Sequence, residues 1–274
     1  HKYMYLGKKY NSMENTLNFF IFLFYMLSAL SIWSVMASYK KNLILIASTW
    51  IFWIIAIIAH SYALSPIFDE SLSVNLSINY ALNLVAFIIS ITLFFSSIVG
   101  NTQFLGLVTL PIISLIFLFD FSNNPVSIPL DNLLFVHVII SLISYSILCL
   151  SAAQSIILKL QEKKLQTNQP TGIISSLPSL DAMDSLLFKI LALGILFLSA
   201  SLLSGFIFLE DIFAQHLAHK TILSILAWII FVSLMYGRQK YGWRGSNAAN
   251  ITLIGFFILF LSYFGTKTVI EIIL

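Results

Sequence analysis

The stretch 133–158, LLFVHVIISLISYSILCLSAAQSIIL, runs for 26 residues without an aspartate, glutamate, lysine or arginine. A bilayer's hydrocarbon core needs about 20 apolar residues at about 1.5 Å each, so this run predicts a spanning helix. Lys159, Lys163 and Lys164 follow it directly. Cations at a span's end favour the cytoplasmic side, so the helix is predicted to run inward.

Seven further stretches outward from this one read the same way, at 15–38, 43–64, 78–99, 104–119, 183–209, 218–237 and 251–273. The run 104–119 is the weakest, being short and carrying Pro111, whose ring leaves a backbone group for neighbours to satisfy. Lys40 and Lys41 follow the first span, and Arg238, Lys240 and Arg244 follow the seventh. The opposite connections carry Asp69 and Glu70, Asp120 and Asp131, and Glu210 and Asp211. The prediction is an all-α polytopic membrane bundle of eight transmembrane helices with both termini non-cytoplasmic. Residues 1–14 read as an N-terminal extension, whose Lys2, Lys8 and Lys9 dissent from this orientation, and 15–274 as the membrane domain. Residues 155–165 should prolong the fifth helix beyond the membrane. The segment 166–180, with Pro170, Gly172 and Pro178, reads as a flexible cytoplasmic connection.

Composition agrees. Of 274 residues, 59% are hydrophobic and 9% charged, against about 25% charged in soluble domains, so lipid is the expected solvent. The net charge of +3 comes from basic residues between apolar blocks, which fits topology rather than nucleic-acid binding. Cys149 is the one cysteine, which excludes a disulfide framework or multi-cysteine metal site within the chain. No nucleophile–base set, phosphate loop or redox dithiol is present, so an autonomous enzyme is not expected.

Chemistry must then come from polar residues inside the bundle or on its rims. His60, near the end of the second span, and His137, near the start of the fifth, are predicted at matched depth about one turn below the outer surface. Thr49, Trp53, Ala56 and His60 form one helical stripe. On the fifth span His137, Ser141, Ser144, Ser151 and Ser155 form another. Polar residues in a membrane helix face the bundle interior, so the two faces are expected to meet. Such a pair suits axial ligation of haem iron, a proton or metal-ion path, or hydrogen bonds that hold the bundle together. His216 and His219, in EDIFAQHLAHK, share one helical side at the outer rim. An interfacial structural role outweighs zinc binding there, because no third close ligand accompanies them. Gly194, Ser201 and Gly205 read as a close helix-packing face, Trp243 and Arg244 as a cytoplasmic interface anchor, and Lys267 and Glu271 as a pair one turn apart.

FLEDIFAQHLAHKTILSILAW (208–228), GRQKYGWRG (237–245) and LSYFGTK (261–267) resemble the inner-membrane YpjD branch of the cytochrome c assembly protein family, which also includes CcsA, CcmC and HemX proteins. The resemblance covers spans two to eight and is most specific over 209–245. It implies a multi-pass protein of the bacterial inner (cytoplasmic) membrane that handles haem at the outer face. It also implies that His137 matches an external haem-ligating histidine and that His60 falls where long members carry a membrane-embedded one. The family's tryptophan-rich WGxxWxWD signature is replaced here by EDIFAQHLAHK, Tyr236 stands near a second intramembrane histidine position, and LSYFG lacks the histidine of an LHSYG-like segment. The resulting expectation is a haem-binding protein with His60 and His137, or the rim residues His216 and His219, as ligands. Its partners are lipid, haem and another membrane protein. The alternative is a non-haem accessory or regulatory subunit, serving divalent-metal transport or haem-synthesis regulation.

Overall fold

A computed structural model describes residues 2–38, 42–65, 73–75, 78–100, 102–118, 127–129, 133–167, 172–208 and 215–265, with side chains over 15–38, 42–65, 79–100, 102–118, 133–167, 172–207 and 219–263. Its helices are α1 (Lys2–Ala37), α2 (Leu43–Ala63), α3 (Ile78–Gly100), α4 (Gly106–Ile116), α5 (Leu133–Gln166), α6 (Leu180–Phe208), α7 (Gln215–Tyr241) and α8 (Gly245–Phe260). Among the described residues seven helices are long and apolar enough to cross a membrane; the shorter apolar helix spans Gln103–Ile116 and contains α4. Helix α5 covers 34 residues, so its polar tail does continue past the apolar run. The backbone of the N-terminal extension continues α1 back to Lys2 without a break.

The architecture is helical as expected, with one short ladder besides. Strands β1 (Ser73–Asn75) and β2 (Ser127–Pro129) pair antiparallel, with Val74 opposite Ile128. Chain segments outside a helix still need partners for their backbone groups, and a short ladder supplies them. The acidic residues Asp69, Glu70, Asp120, Asp131, Glu210 and Asp211, the basic residues Lys40 and Lys41, and the expected pair Lys267 and Glu271 lie outside the described residues.

The chain forms two compact units, one of His1–Phe68 and Leu82–Phe121, the other of Asp69–Ala81 and Ser122–Leu274. In the first, the stripe Ile21, Tyr25, Ser28 and Ile32 of α1 is buried, as is the predicted stripe Thr49, Trp53, Ala56 and His60 of α2. Asn42 starts α2 by accepting a hydrogen bond from the Ile44 amide at 3.0 Å, satisfying one of the donors a helix start leaves free. Trp53 donates its indole N–H to Ser90 Oγ at 3.0 Å, which anchors a large side chain without leaving its polar edge unpaired. Large apolar residues point outward instead: Leu30 is 58% exposed, Val99 90% and Ile207 73%. Water would oppose so much exposed apolar surface, whereas lipid accepts it. This is a multi-pass membrane protein.

The second unit holds α5 to α8, and its two ends are fixed by named contacts. At one end Gln161 of α5 donates to the Pro178 carbonyl at 2.7 Å. There Asp184 of α6 pairs with Arg238 of α7 and accepts the Gly245 amide of α8 at 2.8 Å. At the other end His137, Ser204, Lys220 and Ser262 draw the same four helices together. The helices therefore alternate in direction, as short connections between neighbours favour. Gly242 and Gly245, at φ 69° and 64°, flank Trp243 and Arg244 and give the tight left-handed turns that bring α8 back beside α7.

Candidate functional site

His60 and His137 occupy different units, and their surroundings differ in kind. His60 is fully buried. Its Nε2 lies 3.1 Å from the Asn83 carbonyl oxygen and its Nδ1 3.0 Å from the Tyr25 hydroxyl. A carbonyl only accepts, so Nε2 donates to Asn83 and Nδ1 accepts from Tyr25, leaving a neutral imidazole with both nitrogens engaged. Phe87 and Phe117 stand edge-on to the ring at centroid distances of 5.0 and 4.7 Å. This is how a polar group is kept at low cost in an apolar interior.

His137 is only partly buried. Its Nδ1 lies 2.9 Å from Ser204 Oγ, and the Ser204 hydroxyl donates to the Ser201 carbonyl at 2.9 Å. With the hydroxyl hydrogen on the Ser201 carbonyl, the tautomer that completes the network has Nδ1 donating to Ser204 and Nε2 carrying the lone pair. One turn along α5, Ser141 donates to the His137 carbonyl at 2.7 Å and meets Ser201 Oγ at 2.6 Å. A Cβ on Gly205 would stand 3.1 Å from His137 Cε1, so the absent side chain is what lets α6 approach the ring. The predicted packing stripe of α6 does face α5: a Cβ on Gly194 would come within 2.5 Å of Leu148.

The ring opens on a cavity of about 60 Å³, lined among others by Tyr145, Lys220, Thr221 and Ser224. That is room for a few waters. The Lys220 ammonium lies 4.6 Å from the Tyr263 ring centroid, a cation over an aromatic face. His219 is exposed at the same end of α7, and the side chain of His216 lies outside the described residues. Among the described residues no three His, Cys, Asp or Glu side chains gather to hold a metal ion.

Fit to an iron-bearing cofactor can be judged from the donors. At His137 one nitrogen is oriented by a hydroxyl and the other keeps its lone pair, the arrangement a metal ligand needs. At His60, ligation requires one of two existing hydrogen bonds to open. A drug-sized planar ligand needs roughly 300 Å³ or more, above the 60 Å³ beside His137.

Sequence reading missed Tyr25, Asn83 and Ser204. Tyr25 carried a signal, since it shares a helical stripe with Ile21, Ser28 and Ile32. Ser204 carried one as well, standing beside Gly205 and one turn after Ser201. Asp184, which ties α6 to α7 and α8, was likewise unflagged.

Fold and site define a helical membrane protein with hydroxyl-held histidines inside its units. The family described as Cytochrome C assembly protein matches residues 14–274, and the chain belongs to it. It is 32% identical over 143 residues to Inner membrane protein YpjD of Escherichia coli strain K12, covering 50% of this chain and 52% of that one. It is 27% identical over 145 residues to Cytochrome c biogenesis protein CcsA of Chlamydomonas reinhardtii, covering 52% and 39%. With the protein of the same name from Chlorella vulgaris it shares 26% over 207 residues, covering 61% and 65%. The chain spans about half the length of the first curated relatives it matches. No solved structure matches it.

Proposed function

We propose that this chain is a haem-handling protein of the bacterial inner membrane that binds haem through His137 and lacks the tryptophan-rich presentation segment. The reading is of a binding protein rather than an enzyme. The observation that carries it is the His137 imidazole, with Nδ1–H held by Ser204 and Nε2 free to coordinate. Family membership and the relatives' names, an inner membrane protein and cytochrome c biogenesis proteins, support it. Haem, when bound, supplies an iron that accepts axial nitrogen ligands.

The chain's own residues then have distinct tasks. Ser204 fixes the tautomer of His137, and Gly205 leaves room for the ring. Lys220 lines the same cavity and brings a positive charge that suits a carboxylate-bearing ligand. His216 and His219 precede Lys220 on α7 and are the candidates for a second ligand. His60 becomes one only after its bond to Asn83 or Tyr25 opens.

Eight crossings with both termini outside complete the proposal. The pairing of β1 with β2 supports it. A chain that leaves through α3 and returns through α4 would bring the connections before α3 and after α4 to one face, where these strands could meet.

An accessory role without haem has one observation in its favour: His60 is fully engaged and the His137 cavity is small. A haem titration of detergent-purified protein, followed by absorption, separates the two. The haem reading expects a Soret shift that His137→Ala abolishes and His60→Ala preserves. No shift in the wild type, or one unchanged in His137→Ala, rejects it. A stoichiometric membrane partner recovered without haem absorbance supports the accessory role.

A further inference from the structure

At the opposite end of the second unit from His137, α5 and α8 enclose an open groove of about 550 Å³. Its lining changes character along its length. Ile156 and Leu160, one turn apart on α5, form an apolar wall with Leu253 of α8. Ile156 is 37% exposed and Leu160 55%. Lys159 lies between these two in sequence and Lys163 one turn beyond Lys159, toward the polar end of α5, and Ser246 opens α8. Leu253 lies two turns deeper in α8 than Ser246, so both helices run from polar to apolar in the same sense.

The charges are arranged as well as present. The Lys159 ammonium donates to Asn250 Oδ1 at 2.5 Å, which fixes it at the groove. The Lys163 ammonium pairs with no described residue. Glu162 is the one acid in the lining; its Oε2 is buried without a hydrogen-bond partner among the described residues and stands 3.2 Å from where a Cβ on Gly245 would be. The lining therefore combines two cations and one carboxylate with an apolar trough. Lysines that only oriented the chain would need no shaped apolar floor beneath them. A small soluble anion would make no use of that floor either.

We infer that this groove seats an anionic glycerophospholipid, its phosphodiester against Lys159 and Lys163 and its acyl chains along Ile156, Leu160 and Leu253. Basic pockets between membrane helices recognise lipid headgroups through the same combination of local charge and apolar contact.

The test uses the full chain in detergent, with native mass spectrometry after addition of phosphatidylglycerol, phosphatidylcholine of the same chains, or sn-glycerol 3-phosphate. Phosphatidylglycerol should be retained in preference to both others. Lys163→Gln should weaken retention about fivefold, and the double variant Lys159→Gln/Lys163→Gln about 30-fold. Leu253→Trp, which fills the trough while leaving the lysines, should weaken it too. Equal retention of phosphatidylcholine, binding of glycerol phosphate as tight as that of the lipid, or a Lys163→Gln variant that binds as the wild type each overturns the inference. Lys163→Gln remains decisive if the double variant fails to fold, because it removes no bond to a described residue; its elution volume and helical circular dichroism provide the control.

Discussion

A histidine inside a membrane protein is costly unless something holds it, and the two intramembrane imidazoles are held in opposite ways. His60 spends both nitrogens on Asn83 and Tyr25 between phenylalanine rings. Removing it opens a cavity and takes the imidazole from the Tyr25 hydroxyl, so His60→Ala should lower stability by about 2–4 kcal/mol. Denaturant titration in detergent micelles measures this, and a change below about 0.5 kcal/mol would contradict the packed role. His137 spends only one nitrogen. Ser204→Ala should leave the fold intact but free the imidazole to change tautomer, weakening haem binding by about 10-fold, the lower end for an outer-shell partner. Unchanged affinity in a titration against wild type would remove Ser204 from the site. The sequence announced the two positions and their stripes because helical periodicity alone selects the inward face. It did not announce the partners. Tyr25 and Asn83 stand 35 and 23 residues from His60, and their contact depends on how separate helices slide against one another.

Helices were the most legible elements, since each apolar block carries its own length and ends. The polar continuation of α5 followed from its unbroken periodicity. The β1–β2 pair was not legible, because three-residue strands carry no usable alternation. The turn between α7 and α8 was legible only as an aromatic and basic anchor; its construction is more specific. Gly237 lets the Trp243 ring lie on α7, where an added Cβ would meet ring carbons at 2.2–2.7 Å. Arg238 pairs with Asp184 while its guanidinium carbon lies 3.9 Å from the Phe188 ring centroid. A rigid indole cannot yield as a flexible side chain does, so Gly237→Ala should cost about 1–3 kcal/mol. Thermal unfolding in detergent, beside an alanine substitution at exposed Lys240, reads this cost directly. Equal stability of the two variants would mean that the turn repacks freely around the ring.

For the whole molecule, the open question in the sequence was whether the short fourth apolar run crosses the membrane. Its length argues against it: Gln103–Ile116 is shorter than the seven helices that qualify as spans. Pairing of β1 with β2 argues for it, because strands on opposite faces of a bilayer cannot exchange hydrogen bonds. The pairing is the stronger constraint, since a short helix can be accommodated by local thinning of the bilayer at a fraction of a kcal/mol per Å, whereas paired strands must meet in one compartment. Single cysteines placed in a Cys149→Ser background test this with a membrane-impermeant maleimide on sealed, right-side-out vesicles. Val74→Cys and Ile128→Cys should both label from outside, while Gly100→Cys and Ser176→Cys, at exposed positions, should label only after the vesicles are opened. Protection of Ile128→Cys together with Gly100→Cys would mean that the fourth helix turns back within the membrane, leaving seven crossings and termini on opposite sides.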